Sequence, residues 1–393
     1  MLELVNINRL EPGMFIVKVT EQVGKISVTS AGKIKDQQNI AALIKKGILQ
    51  VQVDLSKSTH LVIEHDEGES ELDDTYINAS GLTYAQQLEH TLKLYDQVKT
   101  IQSRLIKQVA KGNINNLDEI DEITQDIVSQ AFDSDDAIGI AILLKETDEY
   151  FLEHSINCAI LMVMFGRSLG IERETLQCLG IGALLMDIGM LKLPLLLTSK
   201  ATALSEKEIK RIQQHVDVSL QLLESVDGID DVSLVVIQQH HERLDGSGYL
   251  DGLRGQQISL YGKMAAIVDT YDSLITSRPY RDALKPADAL KKMADEELGL
   301  DKELIYKFIG CIGTNPVGSL VKLDSGKLAM VMRLNKHLPM SPTVMVFYNL
   351  TTKLDEVFQL DLSKVEDKIE SSVLPDDFNH DLSGFLRQSF LKK

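Results

Sequence analysis

Histidines and aspartates that could hold a metal ion are spread over several apolar helical segments of this sequence. His154 begins a stripe that continues through Cys158 and Phe165 at helical spacing. Asp187 continues the apolar face of a later segment, and Asp269 lies in the middle of another. Because an unpaired buried carboxylate costs on the order of several kcal/mol, each aspartate should face a cation or several hydrogen-bond donors.

The stretch from His240 to Arg281 concentrates such side chains. It begins HHERLDGSGYLDGL, continues through IVDTYDSL with Asp269 and Asp272, and ends in SRPYR. With residues from earlier helices it completes a set of four imidazoles and two carboxylates: His154, Asp187, His215, His240, His241 and Asp269. Such a set suits iron or manganese and is tolerated by zinc. One or two such ions can position a water nucleophile and neutralise charge on a phosphoryl group.

Bulk properties limit the other functions of the chain. The 393 residues suggest about two or three domains, and a hydrophobic share of 44% with 25% charged residues is ordinary for globular proteins. A net charge of −17 argues against wrapping DNA. The first residues lack the pattern of a signal peptide, and no apolar run approaches the ~18 residues of a membrane span. We therefore expect a cytoplasmic protein that does not bind DNA and has no membrane-spanning segment.

The order of apolar periodicity and turn residues predicts a mainly α fold. We expect a small α+β domain over 1–62, an acidic linker and helical region over 63–134, a helical metal-binding domain over 135–315, and a β-rich extension over 316–393. A long amphipathic helix is predicted over 83–110, followed by helices over 117–131 and 135–145. The long helix could form a homodimer, relay a signal, or pack against its own domain.

Local signals predict three further features. Ser205 and Glu208 form a capping box that begins a helix. The turn Asp324-Ser325-Gly326 joins two strands of a hairpin, and TVMVFYNL predicts a third strand. From Asp361 onward the chain is polar and acidic. His337 and His380 lie in polar segments and should be exposed.

These motifs together resemble the HD-GYP domains, helical metal-dependent phosphodiesterases that open the bacterial second messenger cyclic di-GMP. HSINCAIL, LLMDIGMLKLP, HHERLDGSGY, IVDTYDSL and SRPYR occur in the family's order. The first 60 or so residues resemble a small domain of unknown function found ahead of such domains. The resemblance implies an HD-type domain with cyclic di-GMP as ligand and diguanylate cyclase (GGDEF) proteins as possible partners.

The resemblance also assigns roles to individual positions. The six metal ligands of the family fall on His154, Asp187, His215, His240, His241 and Asp269. Gly248 and Tyr249 fall on the first two letters of the GYP triplet. Asp187 is implied as the bridging catalytic carboxylate, and Arg278 and Arg281 as catalytic contacts to phosphate.

The sequence departs from the family pattern where chemistry is expected. Met186 replaces the histidine of the HD pair, and Met190 replaces a lysine expected to meet phosphate. Further replacements are Leu250 for the proline of GYP, Val216 and Ser219 for a proline and a glycine, and Tyr150 for a glutamate associated with a third metal. By analogy, one metal position keeps all four ligands and the other keeps three of four. A thioether is a poor ligand for hard ions.

Two functions from different classes remain open at this point. The first is a phosphodiesterase that hydrolyses cyclic di-GMP, using one or two iron or manganese ions, with reduced or lost activity. The alternative is a catalytically inactive receptor for cyclic di-GMP, or a protein-interaction module in second-messenger signalling. Hydrolysis of another phosphoester is a third reading, since nothing in the sequence selects a nucleobase.

Overall fold

The computed structural model describes residues 2–7, 10, 14–22, 32–35, 37–46, 48–54, 69–70, 84–111, 117–133, 150–194, 200, 204–224, 226–277, 281–295, 298–335, 337–374 and 377. The expectations for the helix over 135–145, for Arg278 and for His380 lie outside these residues. The chain divides into two compact units, Met1–Glu67 and Gly68–Lys393.

The first unit is a small α+β fold, as the sequence predicts. Its elements are β1 (Leu2–Asn6), β2 (Phe15–Gln22), β3 (Gly32–Lys33), α1 (Gln37–Lys45) and β4 (Ile48–Asp54). The strands form an antiparallel sheet in the order β1-β4-β2-β3. In β4 the fully buried Val51 and Val53 flank a half-buried Gln52, the alternation expected of a strand with one face on a core.

The second unit is built mainly from helices. They are α2 (Tyr84–Lys111), α3 (Asp118–Asp133), α4 (Tyr150–Ser168), α5 (Arg173–Leu185), α6 (Glu206–Gln213), α7 (His215–Leu223), α8 (Asp231–Gln239), α9 (Leu260–Ile275), α10 (Pro286–Met293) and α11 (Lys302–Ile312). The predictions of α2 and α3 are confirmed within two residues. The predicted capping box of Ser205 and Glu208 begins α6.

Helix α5 lies at the centre of this helical core because two glycines let its neighbours approach closely. A Cβ on Gly180 would meet Thr124 of α3 at 2.6 Å, and a Cβ on Gly182 would meet Val236 of α8 at 2.7 Å. The helix also packs against α4. A 3₁₀ turn, Ile188–Lys192, follows α5 and contacts α7.

One stretch corrects an expectation made from the sequence. Arg173–Lys192, which covers α5 and the 3₁₀ turn, is long and apolar enough to cross a membrane by length and composition alone. The sequence expectation that no apolar run approaches this length was therefore wrong. Most of the stretch is buried inside the fold and it carries Asp187, which are features of a core helix.

A six-stranded antiparallel sheet completes the second unit. Its strands are β5 (Glu69–Ser70), β6 (Leu320–Leu323), β7 (Lys327–Arg333), β8 (Thr343–Asn349), β9 (Leu354–Asp361) and β10 (Ile369–Val373), in the order β10-β6-β7-β8-β9-β5. The predicted hairpin turn and third strand are confirmed, and His337 is exposed. The short polar segment IESSV, for which no strand is predicted from the sequence, pairs with β6 through its backbone.

Helix α2 is shared by two apolar cores of this unit. Near its start, the fully buried Leu88 packs with the sheet, together with the half-buried Leu92. Further along, Val98, Leu105 and Val109 pack in the helical core. The apolar positions of α2 are thus used within the chain, which is the intramolecular alternative of the three considered for this helix.

The close contact between α5 and α8 at Gly182 leads to a prediction about stability. Gly182→Ala should destabilise the second unit by about 1–3 kcal/mol, because the added methyl group overpacks against Val236 and the Ser233 carbonyl. A Cβ on the helical Gly310 would meet no atom of the described residues within 4 Å beyond its own helix, so Gly310→Ala is the matched control and should stabilise by about 0.5–1 kcal/mol. Urea denaturation midpoints measure both changes. Equal effects of the two substitutions would contradict the packing described for α5.

Candidate metal centre

Side chains from three helices, from the turn after α5 and from the segment after α8 meet in one cluster. His154 comes from α4 and Asp269 from α9, while Asp187 lies just before the 3₁₀ turn. His215 begins α7, and His240 and His241 directly follow α8. Their donor atoms form two groups in which all atoms lie within 4.8 Å of one another: Asp187 with His215, His240 and His241, and His154 with Asp187 and Asp269. All six sequence-predicted ligands are therefore brought together.

Two of the histidines point the same ring nitrogen at each other. The Nδ1 of His215 donates to the Ile212 carbonyl, and the Nδ1 of His240 donates to the Ile237 carbonyl, both at 2.7 Å. A carbonyl only accepts, so Nδ1 carries a proton in both rings and Nε2 is the nitrogen that faces the centre. The two Nε2 atoms are 3.3 Å apart. Two lone pairs at this distance repel each other unless a cation or a proton lies between them.

Asp187 divides its two carboxylate oxygens between the two groups. Its Oδ1 lies 3.0 Å from Nε2 of His215 and 3.7 Å from Nε2 of His240. Its Oδ2 lies 3.4 Å from Nε2 of His154. A carboxylate with one oxygen in each group is placed to bridge two ions.

Asp269 lies opposite Asp187 and also divides its oxygens. Its Oδ1 is 3.1 Å from Nε2 of His154, and its Oδ2 is 3.6 Å from Nδ1 of His241. The side chains of Asp187, His241 and Asp269 keep 14%, 18% and 10% of their surface exposed, whereas that of His154 keeps 3%. The cluster therefore opens to solvent on the side of these two carboxylates and His241.

The protonation preferences of the cluster suit a cation. Burial by itself would raise the pKa of Asp187, but hydrogen bonds from the surrounding histidines, His154 first, hold that pKa well below its ordinary value. The pKa of Asp269 is lowered against burial in the same way. Burial, and then the neighbouring His240, place the pKa of His241 well below its ordinary value. Ionised carboxylates and a neutral imidazole are the forms that bind a metal.

The turn that carries Asp187 is fastened to α7 through Ser219. The backbone N–H of Gly189 donates to the hydroxyl of Ser219 at 2.8 Å, and that hydroxyl donates to the Met186 carbonyl at 3.0 Å. A Cβ on Gly189 would lie 2.1 Å from the carbonyl oxygen of His215, so only glycine permits this approach. The close contact fixes the spacing between Asp187 and His215.

The glycine-containing loop after His241 is organised by Glu242. The buried carboxylate of Glu242 accepts three backbone N–H groups, from Asp251 at 2.8 Å, Gly252 at 3.1 Å and Leu253 at 2.9 Å. Three donors on one carboxylate hold the loop in a single conformation. This loop carries the two motif residues described next.

Gly248 and Tyr249 lie in this loop beside His241. A Cβ on Gly248 would lie 2.5 Å from the backbone carbonyl oxygen of His241, so the loop can fold back on the histidine only with glycine there. The ring of Tyr249 lies over the ring of His241, with centroids 4.5 Å apart. Leu250, in the third position of the triplet, is exposed.

The replaced positions differ in what surrounds them. Met186 is only 1% exposed and packs in the helical core, so its thioether is part of the apolar packing. Met190 lies in the 3₁₀ turn and is half-buried. Arg281 donates from Nη2 to the Ser273 carbonyl at the end of α9.

Three residues that support the site were given no role in it from the sequence. Ser219 and Glu242 act through backbone contacts, which no side-chain pattern reveals. Asp272 is fully buried and lies 2.7 Å from Nδ1 of His154. Its signal was visible, since a second aspartate three residues after Asp269 in an apolar helix also requires a partner.

The donor set fits a divalent metal ion. Imidazole nitrogens and carboxylate oxygens in this mixture suit first-row metals such as iron, manganese or zinc. The facing Nε2 atoms of His215 and His240 are the local feature that a cation would stabilise. Asp187, His215, His240 and His241 would hold one ion, and His154, Asp187 and Asp269 a second.

Comparisons with known proteins agree with this arrangement. Residues 140–304 match the HD domain family, and residues 2–120 match a domain of unknown function, DUF3391. A cyclic di-GMP phosphodiesterase of Pseudomonas aeruginosa is 25% identical over 360 residues, 90% of this chain and 87% of that protein. A 3'3'-cGAMP-specific phosphodiesterase of Vibrio cholerae is 33% identical over 160 residues, 41% of this chain and 37% of that protein.

A solved structure, the HDG"Y"P protein Bd1817 from Bdellovibrio bacteriovorus, aligns with a TM-score of 0.48 and 16% identity over 78% of this chain and 98% of that chain. The HD domain match covers the whole donor cluster, and Gly248 and Tyr249 lie in the loop beside it. Members of the HD domain family depend on a metal, which agrees with the donors found here. Residues 140–304 are therefore an HD domain, within a chain that is similar over 90% of its length to a cyclic di-GMP phosphodiesterase.

Proposed function

We propose that this chain is a metal-dependent phosphodiesterase that hydrolyses cyclic di-GMP, at a rate reduced by the two methionines in its site. The observation that carries this proposal is the pair of Nε2 atoms of His215 and His240, 3.3 Å apart beside Asp187 Oδ1. Rings held in this orientation by backbone carbonyls present their Nε2 atoms to a cation. Because Asp187, His241 and Asp269 are the more exposed donors, a substrate can approach the cluster from their side.

The two metal positions are expected to differ in affinity. The first has three imidazoles and a carboxylate, all present. The second has His154, Asp187 and Asp269, and the residue at the family's fourth ligand position, Met186, is packed in the apolar core. We propose iron or manganese as the ions, with the first position tight and the second weak.

Each part of the site has a role in this proposal. A divalent ion held by these residues would supply Lewis-acid polarisation of a phosphoryl oxygen and would activate an attacking water. Asp187 orients the donors on both sides through its two oxygens. Tyr249 covers one face of His241 and excludes water from it. Arg278 and Arg281 are proposed phosphate contacts, from the resemblance of SRPYR alone.

The choice of cyclic di-GMP rests on the relative that matches over most of its length. That Pseudomonas aeruginosa protein is named for cyclic di-GMP, while the Vibrio cholerae proteins named for 3'3'-cGAMP match over less than half of this chain. The two nucleotides share the cyclic phosphodiester that the metal site would attack. Both belong in the assay.

A catalytically inactive receptor for cyclic di-GMP is the second candidate. It is favoured by the replacement of a ligand and a cation together, with the thioether of Met186 buried at 1% exposure in place of an imidazole. Loss of a positive charge that stabilises the transition state costs about 100- to 1000-fold in rate. Such a receptor would bind nucleotide, or dock a diguanylate cyclase, with no turnover.

The first prediction concerns turnover. Protein loaded anaerobically with Fe²⁺ or Mn²⁺ should linearise cyclic di-GMP faster than 3'3'-cGAMP, measured by chromatography of the products. Asp187→Ala should abolish this activity because it removes a donor from both metal positions. Wild-type protein with no turnover above that variant, together with micromolar binding of cyclic di-GMP in calorimetry, would establish the receptor instead.

The second prediction concerns the two methionines. Met190→Lys should raise kcat by about 100-fold, since it restores a cation for the developing phosphoryl charge. Met186→His should raise the occupancy of the second metal position, measured by elemental analysis of the purified protein. As a control, Met264→Leu changes a fully buried methionine of α9 outside the donor set and should alter neither quantity. No gain from the double variant would show that the methionines do not limit activity.

A further inference from the structure

Asp272 is a buried aspartate of the helical core that lies next to the donor set without belonging to it. Its side chain is 0% exposed. Its Oδ2 lies 2.7 Å from Nδ1 of His154, and its Oδ1 accepts from Nδ2 of Asn157 at 2.9 Å. Both oxygens therefore have partners on α4.

The geometry places Asp272 behind His154 with respect to the metal centre. The Nε2 of His154 faces Asp187 and Asp269, at 3.4 and 3.1 Å, while its Nδ1 faces Asp272. The two nitrogens of an imidazole point away from each other, so an ion at Nε2 lies on the far side of the ring from Asp272. The carboxylate can act on that ion only through His154.

Cys158 lies near His154 and Asp272, but these three residues do not form a separate metal site. Its Sγ lies 3.8 Å from both ring nitrogens of His154. Equal distances to the two nitrogens place the sulfur over the face of the ring, away from the direction of either lone pair. Asp272 therefore has a hydrogen-bonding role toward His154.

Asn157 and Tyr95 hold Asp272 in place. Asn157 is fully buried, and its Oδ1 faces the hydroxyl of Tyr95 at 3.4 Å. Tyr95 belongs to α2, the helix shared by the two apolar cores. The position of the carboxylate thus depends on α4 through Asn157 and, more weakly, on α2 through Tyr95.

We propose that Asp272, held by Asn157, is a positioning residue that makes His154 competent to bind an ion at the second metal position. The inference rests on the metal centre of the proposed function. A carboxylate at Nδ1–H fixes the ring tautomer and orientation and raises the basicity of Nε2. This support matters more here than in a site with four ligands, because only His154, Asp187 and Asp269 remain at that position.

The test is a titration of metal-depleted protein with Mn²⁺, followed by equilibrium dialysis and elemental analysis. The wild-type chain should bind a tight ion and a weaker one. Asp272→Asn should weaken the second ion by about 10- to 100-fold and leave the first unchanged. The melting temperature of the metal-depleted protein, measured in parallel, reports any general loss of stability.

A reciprocal exchange is the matched control. The double variant Asn157→Asp with Asp272→Asn keeps one amide and one carboxylate in contact but moves the charge away from Nδ1 of His154. It should bind the second ion as weakly as Asp272→Asn alone. Recovery of wild-type affinity in the double variant would overturn the inference, because the carboxylate would not be needed at position 272.

The remaining outcomes separate this inference from the function on which it rests. Wild-type protein that binds no ion contradicts the metal centre itself. Wild-type protein that binds a single ion, or Asp272→Asn that weakens both ions equally while lowering the melting temperature, overturns only the positioning role of Asp272.

Discussion

The site depends on one electrostatic constraint: an imidazole nitrogen of His215 and one of His240 lie close together beside the carboxylate of Asp187. His215 and His240 each donate their Nδ1–H to a backbone carbonyl, so their Nε2 atoms face each other at 3.3 Å. When both rings are neutral, two lone pairs oppose each other at this point, and apolar packing cannot offset that repulsion. A cation at this point, held also by Asp187, turns the repulsion into binding.

Close contacts between the helices of the core bring Asp187 to these two histidines. Gly182 lets α8 lie close against α5, and Gly189 lets the turn after α5 touch the carbonyl of His215. Ser219 then ties that turn to α7 through two hydrogen bonds. Backbone contacts of this kind leave little freedom, so Asp187 arrives at the histidines without a flexible loop. The site is rigid because its ligands lie at helix ends that are packed together.

Much of this could be predicted from the sequence, because polar residues on apolar helix faces are conspicuous. The six donors and the helices α2 and α3 follow from periodicity and spacing, whereas the two motif residues of the glycine loop came from the resemblance to HD-GYP domains. What could not be predicted depends on tertiary contacts. The strand IESSV has no apolar alternation and is defined only by its pairing with β6. The sharing of α2 between two cores, and the roles of Ser219, Glu242 and Asp272, likewise require knowing what packs against them.

The most direct test of this account is a crystal structure of the chain grown with Mn²⁺, with anomalous diffraction to locate the ion. The account predicts a strong anomalous peak bound by Asp187, His215, His240 and His241. No peak at these four residues, or a manganese ion ligated elsewhere with the two Nε2 atoms still facing each other, would contradict it.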